Sequence, residues 1–304
     1  MNKNHIGDLP AKFTRNISNL HGAEGEKWLA DLPRIIEEVC GRWSLRIERV
    51  FPNLSFNFVA ACANGRGEQF VLKIGVPEED APVIYEKRAL EAFGGNSAVR
   101  LLNFDAELTA MLIEKAVEGA TLSEVCGEDF GKAVEIAVDV MRKLPRQPPN
   151  KSDFINLESW IDGLNRAANV GFEPEKVCQA QKFFGELCKP FENKILLHGD
   201  IHFDNILSAK REPFLLIDPK GIVGEIGYEI AVFLSDLAGW TSHLVNQKEV
   251  LNSAIESFSR AFSVGAEDLR KWSYSFAVLS AWWMLEDFGV NRKEDVLRAE
   301  IWEV

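Results

Sequence analysis

Asp200, Asn205 and Asp218 are the residues of this chain whose types and spacing could perform chemistry. Asp200 is the third and Asn205 the last residue of the run His198-Gly199-Asp200-Ile201-His202-Phe203-Asp204-Asn205, and Asp218 follows one predicted hairpin later. A hydroxyl nucleophile needs a carboxylate to orient it and take its proton. Mg²⁺ needs oxygen ligands from the protein while keeping water and phosphate oxygens in its other positions. Asp200 suits the first task, Asn205 and Asp218 the second, and together they form the set that phosphoryl transfer requires. A His-Gly-Asp triplet alone is only a turn. It is the Asn five residues on and the second Asp after one hairpin that make chance improbable. A metallophosphoesterase reading of Asp200-Ile201-His202 needs further His and Asp ligands downstream, and only His243 follows. His198 and His202 read as loop-shaping residues bonded to backbone. Asp204 is equally a solvated loop residue or a substrate contact.

These side chains need strands to place them. Ile195, Leu196 and Leu197 lead into the loop, and Ile206 and Leu207 begin a short strand. Arg211-Glu212-Pro213 then turns the chain into Phe214-Leu215-Leu216-Ile217, a buried strand ending at Asp218. HGDIHFDN (198–205) followed by IDPKG (217–221) resembles the catalytic and metal motifs of the aminoglycoside phosphotransferases. These are relatives of the protein kinases, whose loop reads H-R-D-x-x-x-x-N. The longer stretch IDPKGIVGEIGYEIAVFL is similar, more narrowly, to the streptomycin kinase and hydroxyurea kinase branch. The resemblance implies Asp200 as catalytic base, Asn205 and Asp218 as Mg²⁺ ligands, and ATP as phosphoryl donor. Asp204, Glu225 and Glu229 are its acceptor-side candidates, with helix capping or anchoring of Lys220 as the other role open to Glu229.

Upstream, residues 1–23 carry little periodicity and are expected to wrap the surface. From Glu24 the positions Trp28, Leu32, Ile35, Ile36 and Val39 predict a helix ending near Gly41. Strand-like runs follow at 45–51, 56–62 and 69–75, the last two joined by Asn64-Gly65. In a kinase-like lobe the turn before the second of these strands covers the nucleotide phosphates. Here it reads Phe51-Pro52-Asn53-Leu54-Ser55-Phe56-Asn57, without glycine, so backbone N–H groups and the Ser55 hydroxyl are its phosphate contacts. The resemblance makes Lys73 the lysine on the α/β-phosphates, although a strand lysine by itself is usually a snorkelling surface residue. A helix over 82–93 offers Glu86 or Glu91 as its partner. Strands at 99–104 and 108–114 complete about five, and the Glu114 carbonyl and Ala116 N–H are the expected adenine contacts.

Downstream the pattern is helical, on stripes that include Phe130 to Leu144, Leu157 to Ala168, and Val177 to Cys188. Further helices are expected over 229–240, 248–262 and 266–288. The stretch LPRQPPNKSD reads as a loop. Only about ten residues separate Asp218 from Tyr228, with no A-P-E signature. No activation-loop platform for a peptide fits there, which favours a small acceptor.

The 304 residues suffice for two subdomains with a cleft, and 46% hydrophobic with 26% charged residues is ordinary for a globular protein. No apolar run approaches the ~18 residues of a membrane span, and MNKNHIGDLP lacks a signal-peptide core. Five cysteines without a C-x-x-C pair read as reduced thiols, and the cytoplasm is the expected location. A net charge of −12 disfavours nucleic acid and anionic membranes and is compatible with a cationic acceptor, or serves solubility alone.

The expectation is a bilobal α+β protein-kinase-like fold. Residues 1–115 would form an N-lobe with a five-stranded antiparallel sheet, and residues 116–304 a helical C-lobe with the catalytic hairpin and acceptor site. Its function would be ATP- and Mg²⁺-dependent transfer of the γ-phosphoryl group to a hydroxyl of a small molecule, an aminoglycoside-type antibiotic such as streptomycin, by a monomer or weak homodimer. The rivals are a housekeeping kinase for an amino alcohol or sugar, and an inactive nucleotide-binding regulator.

Overall fold

A computed structural model describes residues 9–78, 81–290 and 296–302. The described residues up to Gly95, together with 99–117, form one compact unit, and 96–98 with the residues from Glu118 onward form another.

The first unit starts with helix α1, Ala11–Trp43, broken at Gly22 (φ 54°, ψ −133°). Residues 9–23 therefore do not wrap the surface as expected, and residues 1–8 lie outside the described residues. Phe13 and Ile17 are fully buried on the first segment. The kink ends the helical period after these two apolar positions, too few to register as a stripe. Strands β1 (Leu45–Val50), β2 (Phe58–Asn64), β3 (Gln69–Ile74), β4 (Leu101–Asp105) and β5 (Ala110–Glu114) form an antiparallel sheet in the order β1-β2-β3-β5-β4. Helix α2 (Pro82–Phe93) has Pro at its first turn, where no N–H partner is needed, and a left-handed Gly94 at its end. One apolar cluster joins α1, through Phe13, Ile17, Trp28, Leu32 and Ile36, to Leu54, Phe58, Leu72, Ile74 and Leu112. Each such side chain contributes roughly 1.5–3 kcal/mol by leaving water.

The second unit is mainly helical, as expected. Its helices are α3 (Leu122–Cys126), α4 (Phe130–Lys143), α5 (Leu157–Asn169), α6 (Pro174–Leu187), α7 (Ile226–Trp240), α8 (Gln247–Phe262) and α9 (Ala266–Phe288). Residues from α5, α6, α7 and α9, among them Leu164, Phe184, Tyr228, Trp272 and Trp282, share one core. Two three-stranded sheets stand beside them. Strands β6 (Glu118–Thr121), β9 (Ile206–Ala209) and β10 (Phe214–Leu216) form the first, and β7 (Ile155–Asn156), β8 (Ile195–Leu197) and β11 (Ile222–Gly224) the second. Strands β6, β7 and β11 have two to four residues, too short to carry a period, and went unpredicted. Residues 96–98 belong here because Leu216 N donates to Ser97 O (2.8 Å) and Arg211 Nη2 to Ala98 O (2.8 Å). All five cysteines are free, and no described helix is long and apolar enough to cross a membrane.

Candidate active site

In the first unit β3 pairs Lys73 with Val59 on one side and Met111 on the other, a central place in the sheet. Its Nζ lies 2.5 Å from Glu86 Oε2, and both side chains are more than 90% buried. Glu86 belongs to the inward stripe of α2 with Val83, Ala89, Leu90 and Phe93. Glu91 lies off that stripe and pairs with Lys87 at 2.8 Å, which decides between the two glutamates. Ser55 is exposed in the turn before β2 and its carbonyl accepts from Asn16 Nδ2. Glu114 closes β5, and its carboxylate accepts from Arg100 N at 3.1 Å. Ala116 is buried two residues on.

In the second unit the hairpin register pairs Leu216 with Ile206, and Ile217 N donates to Asn205 O at 3.0 Å. Asn205 and Asp218 thus stand at adjoining strand ends. Asn205 Nδ2 donates to Asp200 O (2.9 Å) and Asp200 Oδ2 (3.3 Å), so the carboxamide nitrogen is directed at the aspartate. Lys220 Nζ bridges Asp218 Oδ2 (2.7 Å) and Asp200 Oδ2 (3.1 Å). Asp218 is a non-glycine residue at φ 61°, a conformation that costs of order 1 kcal/mol and collects at functional sites.

His198 ties the loop to the second strand of the hairpin. It is fully buried, with Nε2 2.9 Å from Ile217 O, while Nδ1 accepts from Asp200 N at 3.3 Å. A carbonyl only accepts, so Nε2 carries the proton and the ring is neutral. Burial holds its pKa down to about 4. His202 Nδ1 accepts from Asp204 N, and Asp204 itself is exposed. Both histidines shape the loop, as expected.

A model of the aminoglycoside/hydroxyurea antibiotic resistance kinases matches residues 42–288, which span every site residue above except Asn16. The chain belongs to this family. It is 25% identical to a streptomycin 6-kinase of Streptomyces glaucescens, over 94% of each chain. A hydroxyurea phosphotransferase of Kitasatospora aureofaciens is 27% identical, over 97% of this chain and 86% of that one. Among solved structures, aminoglycoside phosphotransferase APH(4)-Ia in complex with ADP and hygromycin B aligns at a TM-score of 0.59. The match is 14% identical and covers 88% of this chain and 96% of that one. A choline kinase of Streptococcus pneumoniae aligns at 0.60 with 16% identity, over 89% and 97%. At these identities the structures establish the protein-kinase-like fold. The kinase is a phosphotransferase acting on hydroxyl groups.

Two of the residues expected on the acceptor side, Glu225 and Glu229, are buried. Glu229 is fully buried, with Oε1 accepting from Arg146 Nη1 (2.6 Å) and Oε2 from Gly199 N (2.8 Å). Both oxygens serve the fold, and in place of the expected capping or Lys220 anchoring Glu229 holds the loop that carries Asp200. Glu225 is 7% exposed, with Oε1 accepting from Lys189 N at 2.7 Å, and burial raises its pKa. Helix α7 begins at Ile226, earlier than the expected 229, with Glu225 at its N-cap position and Glu229 on its buried face.

Arg146 is the site residue that sequence reasoning missed. Its Nη1 also donates to Leu196 O (3.2 Å), its Nη2 to Met141 O (2.6 Å), and its carbonyl accepts from Leu196 N (2.9 Å). It thus fastens β8, just before His198, to the end of α4. It lies in the proline-rich stretch read as loop, and nothing local distinguishes it there.

Proposed function

We infer that this kinase transfers the γ-phosphoryl group of ATP to a hydroxyl of a small cationic antibiotic of the streptomycin type. The observation that carries the reading is the hold of the Asn205 carboxamide on Asp200, with Asp218 at the next strand end. Asp200 orients the acceptor hydroxyl and takes its proton as the new O–P bond forms. Lys220 offsets the repulsion between Asp200 and Asp218 and keeps the two carboxylates at a set separation. Lys73, steadied by Glu86, presents its ammonium to the α/β-phosphates. Turn 51–57 covers the phosphates with backbone N–H groups and the Ser55 hydroxyl, while the Glu114 carbonyl and Ala116 N–H read the adenine edge.

The Asn205 oxygen and the Asp218 carboxylate are hard donors that fit Mg²⁺. When bound, Mg²⁺ would supply charge neutralisation at the phosphates. The family, the names of its curated relatives and the net charge of −12 support a cationic antibiotic as acceptor. The reading includes a cytoplasmic enzyme working as a monomer or weak homodimer.

The test is ATP consumption by the purified chain with streptomycin, hydroxyurea and choline offered separately, with products identified by mass spectrometry. Phosphorylated streptomycin is the expected product. Turnover of choline alone would replace the antibiotic acceptor with an amino alcohol.

A further inference from the structure

The turn over residues 51–57 presents a physical problem. A phosphate-covering turn normally gains close backbone approach from glycine, and this one has none. A chain without glycine must be held in the required conformation from outside, or the nucleotide must spend binding energy to order it.

The first segment of α1 provides such a hold. Asn16 is 8% exposed, and its Nδ2 donates to Ser55 O at 3.2 Å. The next residue, Ile17, joins Phe13 and Trp28 in the cluster that buries Leu54, the residue before Ser55. The kink at Gly22 folds the two segments of α1 closely together. A Cβ on Gly25 would lie 2.6 Å from Ile17 O, and the rings of Phe13 and Trp28 meet edge-on at 6.1 Å. A further tie from this segment reaches the chain leaving β3, shortly after Lys73, where His21 Nδ1 meets Glu78 Oε1 at 2.6 Å.

We propose that the N-terminal segment of α1 is a brace that pre-shapes the glycine-free phosphate turn, with Asn16 as its positioning residue. This rests on the reading that turn 51–57 covers the nucleotide phosphates. The brace replaces the flexibility of a glycine-rich turn with a fixed backbone whose ordering cost is met during folding. Asn16 touches no substrate and acts only through Ser55 and its neighbours. It lies upstream of the residues that the family model matches.

Asn16→Asp keeps the shape and removes the Nδ2–H donor, Asn16→Ala removes the side chain, and Asn16→Gln retains a donor. Four quantities are measured on the full chain: KM for ATP, KM for the acceptor, kcat, and amide exchange of residues 53–57 with and without a non-hydrolysable ATP analogue. Asn16→Asp and Asn16→Ala should raise KM for ATP about tenfold, equivalent to ~1.4 kcal/mol. They should leave kcat and the acceptor KM within twofold and speed exchange at 53–57, with partial recovery in Asn16→Gln. Exchange that speeds up while KM for ATP holds would overturn the brace alone, as would kcat and both KM values moving together through general loosening. If Asn16→Asp fails to fold, Asn16→Ala decides. A wild-type chain that binds the analogue without protecting 53–57 would overturn the reading of the turn and the brace with it. A wild-type chain that binds no analogue would overturn the proposed function as well.

Discussion

Lys73 and Asp200 are held in opposite ways. Lys73 sits in the middle strand of a five-stranded sheet, its height fixed by pairing on both sides, and one ion pair to an adjacent helix sets its direction. Asp200 sits in a loop with no ladder. Its place is set by side chains that bond backbone: His198 to Ile217 O, Asn205 to Asp200 O, and Glu229 to Gly199 N, with Arg146 behind Glu229. A side chain on regular structure inherits its position from the hydrogen-bond pattern. One in a loop needs dedicated residues drawn from distant parts of the chain, and each is a separate point of failure.

The largest break should come from Arg146→Met. It leaves Glu229 fully buried without its cation, a loss of order 3–5 kcal/mol, read as the steepest fall in melting temperature of any single change discussed here. Arg146→Met with Glu229→Leu should recover much of that stability, because no charge remains buried. Turnover should stay low, because Gly199 N–H has lost its acceptor. Recovery of both would make the pair purely structural.

His198 gives the next largest effect. Its folded pKa of about 4 lies below the unfolded value near 6.5, so the unfolded chain binds the extra proton between these limits. The stability it contributes is present above pH 6.5 and is lost as pH falls toward 4, at up to ~1.4 kcal/mol per unit and about 3 kcal/mol in all. His198→Gln retains a donor for Ile217 O and does not titrate. Denaturant unfolding between pH 7 and 5 should show a shallower pH slope in the variant, and equal slopes would contradict a buried neutral imidazole.

Gly199→Ala tests how tightly the loop is fitted. At φ 86°, where an added Cβ would run into Ile222 Cδ1, the change should cost about 1–3 kcal/mol and lower kcat more than it raises KM. On the sheet side, Glu86→Gln should raise KM for ATP about tenfold, ~1.4 kcal/mol, with a smaller change in melting temperature than Arg146→Met. A larger change would erase the contrast between the two regions.

The same contrast explains what the sequence could reveal. The sheet, α2 and most helices of the second unit were legible because their apolar residues repeat at 2.0 or 3.6 positions, and HGDIHFDN with IDPKG is dense enough to mark the candidate site's hairpin. The choice of Glu86 over Glu91 needed the inward face of α2, which its short stripe leaves ambiguous in one dimension. Arg146 was invisible because its partner Glu229 lies 83 residues away and neither belongs to a local pattern. Glu225 and Glu229 looked available because charged residues usually face water. Their burial follows from α7 starting three residues early and being apolar nearly all round. The first segment of α1 escaped notice because Gly22 interrupts its period.

The central claim is that Asp200 handles the acceptor proton and takes no part in holding nucleotide. The direct measurement is turnover of Asp200→Asn beside calorimetric binding of a non-hydrolysable ATP analogue to the same protein. The account predicts that kcat falls by about 10³ or more while the dissociation constant stays within twofold of wild type. Turnover within tenfold of wild type, or loss of nucleotide binding in step with loss of turnover, would contradict it.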